Sequence, residues 1–238
     1  MENLIFVLVG PFANPKALAK WAHAEFRKSA AVAFVGVDSG LAPLLASGLP
    51  ATLAIGDMDG PGAMATARAN RATPLVRLER AKERSDLAVA LDFCAKQGAR
   101  MLYALGFQGH RADHDFAVHL DLSEASRRIP SVVSIGEKGA VFYLAARFSR
   151  LRLRTTTIEA LRAAASPPKS RRGPRAGPRI ASIFPIGGPA AGLRVRGLRF
   201  PVMNGILSVS SQGLSNEIRG LDVEVALRKG RVAIFFPA

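Results

Sequence analysis

The sequence predicts two unlike halves: an α/β domain with a largely parallel sheet, followed by a smaller, all-β, sandwich-like domain. In the first half, short apolar runs alternate with amphipathic stretches, a pattern typical of βα units. After about residue 139 the helical period fades, and glycines and other turn residues separate short apolar runs. We therefore expect an α/β domain over residues 1–138 and a β-sandwich over residues 139–238.

The first half contains six candidate strands and two clear candidate helices. Apolar residues at helical spacing predict helices over Asn14–Ser29 and Asp86–Gln97, and we place Trp21 and Cys94, which lie on these apolar stripes, in the core. The candidate strands are Leu4–Val9, Ala31–Val37, Thr52–Ile55, Leu75–Leu78, Met101–Leu105 and Val132–Ile135.

The second half contains only candidate strands. Turn dipeptides such as Gly187-Gly188 and Asn204-Gly205 separate them, as is typical of antiparallel sheets. The candidate strands are Val141–Ala145, Leu151–Arg154, Ile180–Ile186, Leu193–Val195, Ile206–Val209, Val223–Leu227 and Val232–Phe236.

Composition excludes several classes of protein. With 238 residues, 49% hydrophobic and 21% charged, the chain is long and apolar enough to bury a core, which argues against wholesale disorder and a coiled coil. A single cysteine, Cys94, excludes an internal disulfide. The N-terminus lacks the pattern of a secretory signal, and no apolar stretch is long enough to span a membrane. We expect a cytoplasmic protein with no membrane partner.

The net charge of +15 is concentrated in one segment. Residues 147–179 hold ten basic residues and one acidic residue. Residues 147–154 alternate arginine with apolar side chains, as in a strand with one basic face, and residues 166–178 are rich in proline, glycine and arginine. We expect residues 166–178 to form an exposed insertion. Two interpretations stay open: a solvated loop without a partner, and weak binding to RNA, DNA or lipid headgroups.

Aspartates follow four of the predicted parallel strands. Since ligands bind beyond the carboxyl ends of parallel strands, these side chains are candidates for one site. They are Asp38, Asp57, Asp59, Asp86 and Asp113.

Asp57 and Asp59 are two residues apart, so in an extended segment both carboxylates would point the same way. Oxygen ligands of this kind favour Mg²⁺, and the absence of a paired Cys/His cluster argues against zinc. Turn-forming or helix-capping aspartates are the alternative, and Asp86 suits either an N-cap or the first turn of the following helix.

Basic residues accompany these carboxylates. Lys82 and Arg111 are candidate phosphate ligands, with solvated loop charges as the alternative, and His114 is either a ligand or a structural hydrogen-bonding residue. The chain has no GxxxxGK[ST] loop, no GxGxxG opening a helix, no HExxH and no GxSxG. The sequence therefore excludes the P-loop, dinucleotide-binding, metalloprotease and α/β-hydrolase fingerprints.

Taken together, the motifs resemble the thiamine pyrophosphokinase family in order and spacing over nearly the whole chain. The most specific pieces are the Gly-Asp-x-Asp segment, the Arg-x-Asp-His segment and Ser-Asn-Glu. The matching segments are VDSG (37–40), GLPATLAIGDMDG (48–60), KERSDLAVAL (82–91), GFQGHRADHDFAVHL (106–120) and GLSNE (213–217).

The resemblance implies a homodimeric enzyme in which an α/β domain binds ATP and a β-sandwich completes the thiamine site across the dimer interface. Such an enzyme transfers a diphosphoryl group from ATP to the thiamine hydroxyl and releases AMP. The residues implied are Asp57, Asp59 and Asp86 as Mg²⁺ ligands and catalytic residues, Asp113 as a further catalytic residue, Asp38, Ser39, Gly40, Lys82, Arg111 and His114 around the nucleotide, and Ser215, Asn216 and Glu217 around thiamine.

The chain departs from the family pattern at four positions. The family usually shows Asp-Gly-Gly where this chain has Ser39, Gly-Asp-x-Asp-Ser where it has Gly60, and Lys-Asp-x-Thr-Asp where it has Glu83 and Ser85. These changes leave two alternative functions open: a diphosphokinase for another hydroxymethyl heterocycle such as a pterin, and a non-catalytic nucleotide- or RNA-binding relative.

Overall fold

A computed structural model describes residues 4–27, 31–60, 62–80, 83–109, 111–165 and 179–237. Within these ranges the chain forms six α-helices and fourteen strands. The helices are Pro15–Glu25 (α1), Leu41–Ala46 (α2), Ala63–Ala69 (α3), Asp86–Lys96 (α4), Ala112–Ala125 (α5) and Thr155–Ala165 (α6). The strands are Ile5–Val9 (β1), Val32–Val37 (β2), Leu53–Gly56 (β3), Leu75–Arg77 (β4), Met101–Leu105 (β5), Ser131–Gly136 (β6), Gly139–Ala145 (β7), Arg150–Arg154 (β8), Ile180–Pro185 (β9), Ala190–Arg196 (β10), Val202–Leu207 (β11), Asn216–Glu217 (β12), Asp222–Ala226 (β13) and Arg231–Pro237 (β14).

One ten-stranded sheet runs through the molecule in the order β12-β9-β14-β7-β6-β5-β1-β2-β3-β4. Strands β4, β3, β2, β1, β5 and β6 are mutually parallel, and the remaining four are added antiparallel. Central strands such as β1 are buried almost throughout, because helices cover both faces of a parallel sheet. The carboxyl ends of the parallel strands share one edge, which positions the candidate site.

A second, four-stranded antiparallel sheet in the order β11-β10-β13-β8 packs over the antiparallel end of the first. Val195 and Val223 of the small sheet share one buried cluster with Phe142 and Val232 of the large sheet. The predicted fold class, α/β followed by an antiparallel β part, is confirmed.

The large sheet crosses the predicted domain boundary at residues 138 and 139. β6 ends at Gly136 and pairs antiparallel with β7, which starts at Gly139. The same hydrophobic cluster includes Trp21 of α1 and Val195 of β10, so the two parts share a core. The division of the chain into two domains stays a prediction.

α6 lies in the half predicted to contain only strands. Ile158 and Leu161 are three residues apart and both 2% exposed, so one face of this helix is buried in the main core. Three threonines at its start have low helix propensity, which explains why the sequence pattern does not indicate it. The predicted insertion at residues 166–178 lies outside the described residues.

Trp21 and Cys94 occupy the core as predicted, with exposed fractions of 5% and 0%. Trp21 makes edge-to-face contacts with Phe26 and Tyr103. Burial raises the pKa of the Cys94 thiol to about 12, which makes it an inert packing residue. In the part of the chain that the structure covers, no helix combines the length and apolar character needed to cross a membrane.

Candidate active site

The loops that follow β2 and β3 approach each other closely at the carboxyl edge of the sheet. Asp38 directly follows β2, and Asp57 directly follows β3. A Cβ atom on Gly56 would lie 2.8 Å from the Cα of Asp38, so only glycine lets the two backbones come this near. The two aspartates are therefore brought together by backbone contact between neighbouring loops.

Three carboxylates meet at this edge. Asp38, Asp57 and Asp86 each offer one oxygen, and these three oxygens all lie within 4.8 Å of one another. Asp57 is only 9% exposed. Such a set of hard oxygen donors suits Mg²⁺ and not zinc.

The environment of Asp38 indicates that this cluster of three carboxylates fits a cation. Its Oδ1 is buried and makes no hydrogen bond to any residue that the structure describes. Its backbone has a φ of 47°, a strained left-handed conformation that is uncommon for a residue with a side chain and is typical of functional sites. A buried carboxylate oxygen without a hydrogen-bond donor is stabilised by a metal ion.

The assumption that Asp57 and Asp59 lie on an extended segment is wrong. Met58 between them has a φ of 58° and is buried, which breaks the alternation of side chains. The backbone N–H of Asp59 donates to Oδ1 of Asp57 at 3.2 Å, while the Asp59 side chain is 52% exposed and lies 3.9 Å from Arg80. The structure therefore groups Asp38, and not Asp59, with Asp57 and Asp86.

Asp86 occupies the first turn of α4, and the preceding Ser85 is the N-cap. The Ser85 hydroxyl accepts a hydrogen bond from the backbone N–H of Ala88 at 3.0 Å and donates one to Asp121 at 2.7 Å. Of the two interpretations of Asp86, the first-turn position is correct. The helix dipole favours a negative charge there.

Arg111 and Asp113 form an exposed ion pair at the start of α5. The Arg111 side chain donates to Asp113 at 3.1 Å and 2.6 Å, and this lowers the pKa of Asp113 to about 2. His114 is exposed at the same helix start. Glu83, beside the carboxylates in sequence, is exposed as well, and Lys82 lies outside the described residues.

A hydrogen-bonded network behind this helix start was not predicted. Asp115 accepts from the backbone N–H of Gly109 at 2.8 Å, which ties the loop after β5 to α5. His119 contacts the Tyr143 hydroxyl at 2.6 Å and Gln108 at 3.1 Å, and burial lowers the pKa of this histidine. Asp115, His119 and Gln108 line one cavity of about 360 Å³. The acid-rich segment 113–115 is the sequence feature that could have indicated this network.

The β part carries a separate, smaller cavity of about 260 Å³ lined mainly by apolar side chains. Asn216 lines it and makes two hydrogen bonds to the backbone of Phe200. Oδ1 of Asn216 accepts from the Phe200 N–H at 3.0 Å, and Nδ2 donates to the Phe200 carbonyl at 2.8 Å. Ser215 adopts a φ of 57° and donates its N–H to Ser182. Glu217 pairs with Arg219 at 2.8 Å, away from the lining.

This cavity lies inside the region that matches a family model. Residues 174–232 match the model described as thiamin pyrophosphokinase, vitamin B1 binding domain. Over 82 residues the chain is 33% identical to thiamine pyrophosphokinase of Bacillus subtilis (strain 168). The predicted resemblance to the thiamine pyrophosphokinase family is confirmed. The alignment with the B. subtilis relative covers 34% of this chain and 38% of the relative, so the matched segment spans well under half of the relative's length.

Solved structures share the fold over nearly the whole chain. A thiamine pyrophosphokinase structure from B. subtilis superposes with a TM-score of 0.74 at 19% identity and covers 99% of both chains. One from Geobacillus thermodenitrificans gives 0.72 at 21% identity, covering 99% of this chain and 98% of the other. One from Candida albicans gives 0.68 at 13% identity, covering 99% and 89%.

Proposed function

We propose that this chain transfers a diphosphoryl group from ATP to the hydroxyl of thiamine, forming thiamine diphosphate and AMP. The observation that carries the proposal is the cluster of three carboxylates, from Asp38, Asp57 and Asp86, at the carboxyl edge of a parallel sheet. Its support is the match of residues 174–232 to a vitamin B1 binding domain in the same chain.

The three carboxylates are the proposed Mg²⁺ ligands. When bound, Mg²⁺ neutralises charge on the phosphate oxygens and fixes the orientation of the triphosphate. Asp57 is the most buried of the three. Asp86 lies in the first turn of α4, so the N-terminal end of this helix faces the proposed metal site. Ser39 and Gly40 lie beside Asp38 and are proposed to contact the nucleotide, as is His114. Asp59, as an additional metal ligand, and Lys82, as a phosphate ligand, stay predictions.

The transfer forms a bond between the thiamine oxygen and the β-phosphorus and breaks the bond from that phosphorus to the oxygen bridging the α-phosphate. AMP leaves with that bridging oxygen. Arg111 is exposed, and it is proposed to exchange part of its pairing with Asp113 for a phosphate oxygen. With a pKa of about 2, Asp113 is a weak proton acceptor, so its proposed role is to orient Arg111. Asp86 is proposed to orient the attacking hydroxyl by accepting its hydrogen bond, and the proton leaves to solvent as the bond to the β-phosphorus forms.

The acceptor site is proposed to involve the cavity of the β part. Asn216 lines this cavity, and its amide holds the backbone of Phe200, another lining residue, by two hydrogen bonds. Ser215 is exposed beside it, and Glu217 of β12 pairs with Arg219. A contact of Glu217 with thiamine stays a prediction. A pterin or another hydroxymethyl heterocycle is the alternative acceptor for the same reaction.

We further propose a homodimer and a cytoplasmic location. Around the cavity, Phe200, Ile206 and Leu214 are 58–68% exposed, a density of apolar side chains that favours a partner surface. A second copy of the chain is the partner that the family resemblance implies.

The test is to incubate the protein with ATP, Mg²⁺ and thiamine, omitting each in turn, and to separate the nucleotides and thiamine species by chromatography. We expect AMP and thiamine diphosphate in equal amounts. Asp57→Asn lowers turnover roughly 100-fold or more, because a buried ligand of the metal is lost. Asp222→Asn, the same change at an aspartate of β13 that pairs with Arg152, leaves turnover unchanged.

Formation of ADP with thiamine monophosphate would contradict attack at the β-phosphorus. AMP formation with a pterin and not with thiamine would establish the alternative acceptor. Salt-sensitive binding of RNA that is lost on deletion of residues 166–178, together with no AMP from any acceptor, would support the non-catalytic alternative.

A further inference from the structure

The backbone of Gly60 faces the hydroxyl of Ser39 across the two aspartate loops. A Cβ atom on Gly60 would lie 2.0 Å from Oγ of Ser39 and 3.1 Å from Oδ2 of Asp38. Non-bonded contacts of a Cβ atom as short as 2.0 Å do not occur in proteins. The Ser39 hydroxyl therefore fills the space in which a side chain at position 60 would begin.

This hydroxyl also holds one oxygen of a proposed metal ligand. Oγ of Ser39 donates to Oδ2 of Asp38 at 2.9 Å. The other oxygen, Oδ1, is buried and receives no hydrogen bond from the described residues. The hydrogen bond thus fixes the carboxylate by one oxygen and leaves the second available to a cation, which is how ligands in metal sites are commonly oriented.

We infer that Ser39 is a positioning residue for Asp38, and that positions 39 and 60 are a coupled pair which supplies one hydroxyl to this carboxylate. The inference rests on the proposed function, in which Asp38 binds Mg²⁺.

The geometry predicts that a single change at either position damages the site and that the double change S39G/G60S restores it. In the Ser39→Gly variant Asp38 loses its donor, whereas in Gly60→Ser the new Cβ displaces Oγ of Ser39 from its hydrogen bond with Asp38. When both changes are made, the space left by Ser39 receives the new side chain, whose Cβ would begin 3.1 Å from Oδ2 of Asp38. Its hydroxyl, one bond further, has the reach to replace the lost hydrogen bond.

The experiment measures Mn²⁺ binding by electron paramagnetic resonance in the presence of a non-hydrolysable ATP analogue, together with melting temperature. We expect Ser39→Gly and Ser39→Ala to weaken Mn²⁺ binding about tenfold with little change in melting temperature, as for loss of a residue that orients a metal ligand. Ser39→Ala controls for the added backbone freedom of glycine. Gly60→Ser lowers both affinity and melting temperature, and S39G/G60S restores both close to the wild-type values.

The decisive feature is that Gly60→Ser weakens Mn²⁺ binding in the wild-type chain and strengthens it in the Ser39→Gly chain. Equal damage by Gly60→Ser in both chains would overturn the coupling, and wild-type affinity in Ser39→Ala would overturn the positioning role. The proposed function can fail separately: the predicted Mn²⁺ pattern without thiamine diphosphate formation would refute the proposed reaction and leave this inference standing. A wild-type chain that binds no Mn²⁺ would refute both the metal site and this inference.

Discussion

At the scale of single residues, the site depends on backbone conformations that a residue pattern does not specify. Asp38 and Met58 have left-handed φ values of 47° and 58°. These turns place Asp38 beside Asp57 and break the extended geometry between Asp57 and Asp59 on which the i, i+2 argument depended, and Asp59 as a metal ligand stays a prediction. The residue types and the sheet edge were predictable, because both follow from the order of strands and polar loops. Which carboxylates lie closest together there was not, because it depends on local turn geometry.

Asp113 offers a test of electrostatics at this scale. Because hydrogen bonds from Arg111 lower the pKa of Asp113 to about 2, we expect its carboxyl to stay ionised through the neutral pH range. Arg111→Gln should return this pKa toward the ordinary value for aspartate. Arg127→Gln, which removes an exposed arginine paired with Glu124 at the other end of α5, should leave it unchanged. The measurement is a carboxyl carbon NMR titration, assigned with Asp113→Asn.

The sign of the pH effect follows from the lowered pKa. The stabilisation from this ion pair is fully present above the ordinary aspartate pKa and is lost as pH falls toward about 2. An Asp113 carboxyl that titrates at its ordinary pKa in the wild-type chain would contradict the pairing. In that case Asp113 would regain its place as a candidate proton acceptor.

At the scale of elements, apolar spacing predicted the strands well and the helices poorly. Met101–Leu105 was predicted with its observed bounds, because a buried parallel strand is a short apolar run bounded by polar residues. α2 has six residues and α3 has seven, too short for a helical period to show. α5 buries only Val118, Leu122, Ser123 and Ala125 along fourteen residues, and its exposed face includes Phe116 and Leu120, which hides the amphipathic pattern.

Ser85 links an element boundary to the site. Its hydroxyl caps α4 and bonds to Asp121, and Asp86 follows it directly. Ser85→Ala should lower the free energy of unfolding by about 1 to 2 kcal/mol, because an N-cap and a hydrogen bond to a half-buried carboxylate are lost. Ser85→Thr keeps the hydroxyl and should unfold close to the wild-type protein. Urea denaturation followed by far-UV circular dichroism measures both.

A threonine variant as unstable as the alanine variant would show that packing around Ser85, and not its cap, is responsible. A shift in the unfolding midpoint with an unchanged denaturant slope is the expected signature of a loss confined to the folded state.

At the scale of the whole molecule, the α/β part and the β part are joined through one continuous sheet. β6 and β7 connect them by a hairpin, and α6 packs against β6 and β7 with Ile158 buried in the common core. The sequence indicated a change of pattern near residue 139, which is real, since helices become sparse there. It did not indicate that the strands after this point extend the first sheet, because strand pairing between distant segments leaves no local signal.

β11 is the surface on which the proposed dimer is most directly tested. It is an edge strand of the small sheet, and Met203 on it is 64% exposed without lining the cavity. An exposed apolar edge favours association with a second chain. Met203→Glu should therefore disrupt the dimer and raise the KM for thiamine more than the KM for ATP, because the thiamine site is the one proposed to span both copies.

Sedimentation velocity provides the measurement, with the wild-type protein expected at twice the chain mass of 25.3 kDa. Leu221→Glu is the matched control, because Leu221 is 84% exposed, precedes β13 and lies outside the cavity lining. This control should remain dimeric with an unchanged KM for thiamine. A wild-type chain that sediments as a monomer while it turns over thiamine would show that each copy holds a complete site, and the exposed apolar residues of β11 would then need another explanation.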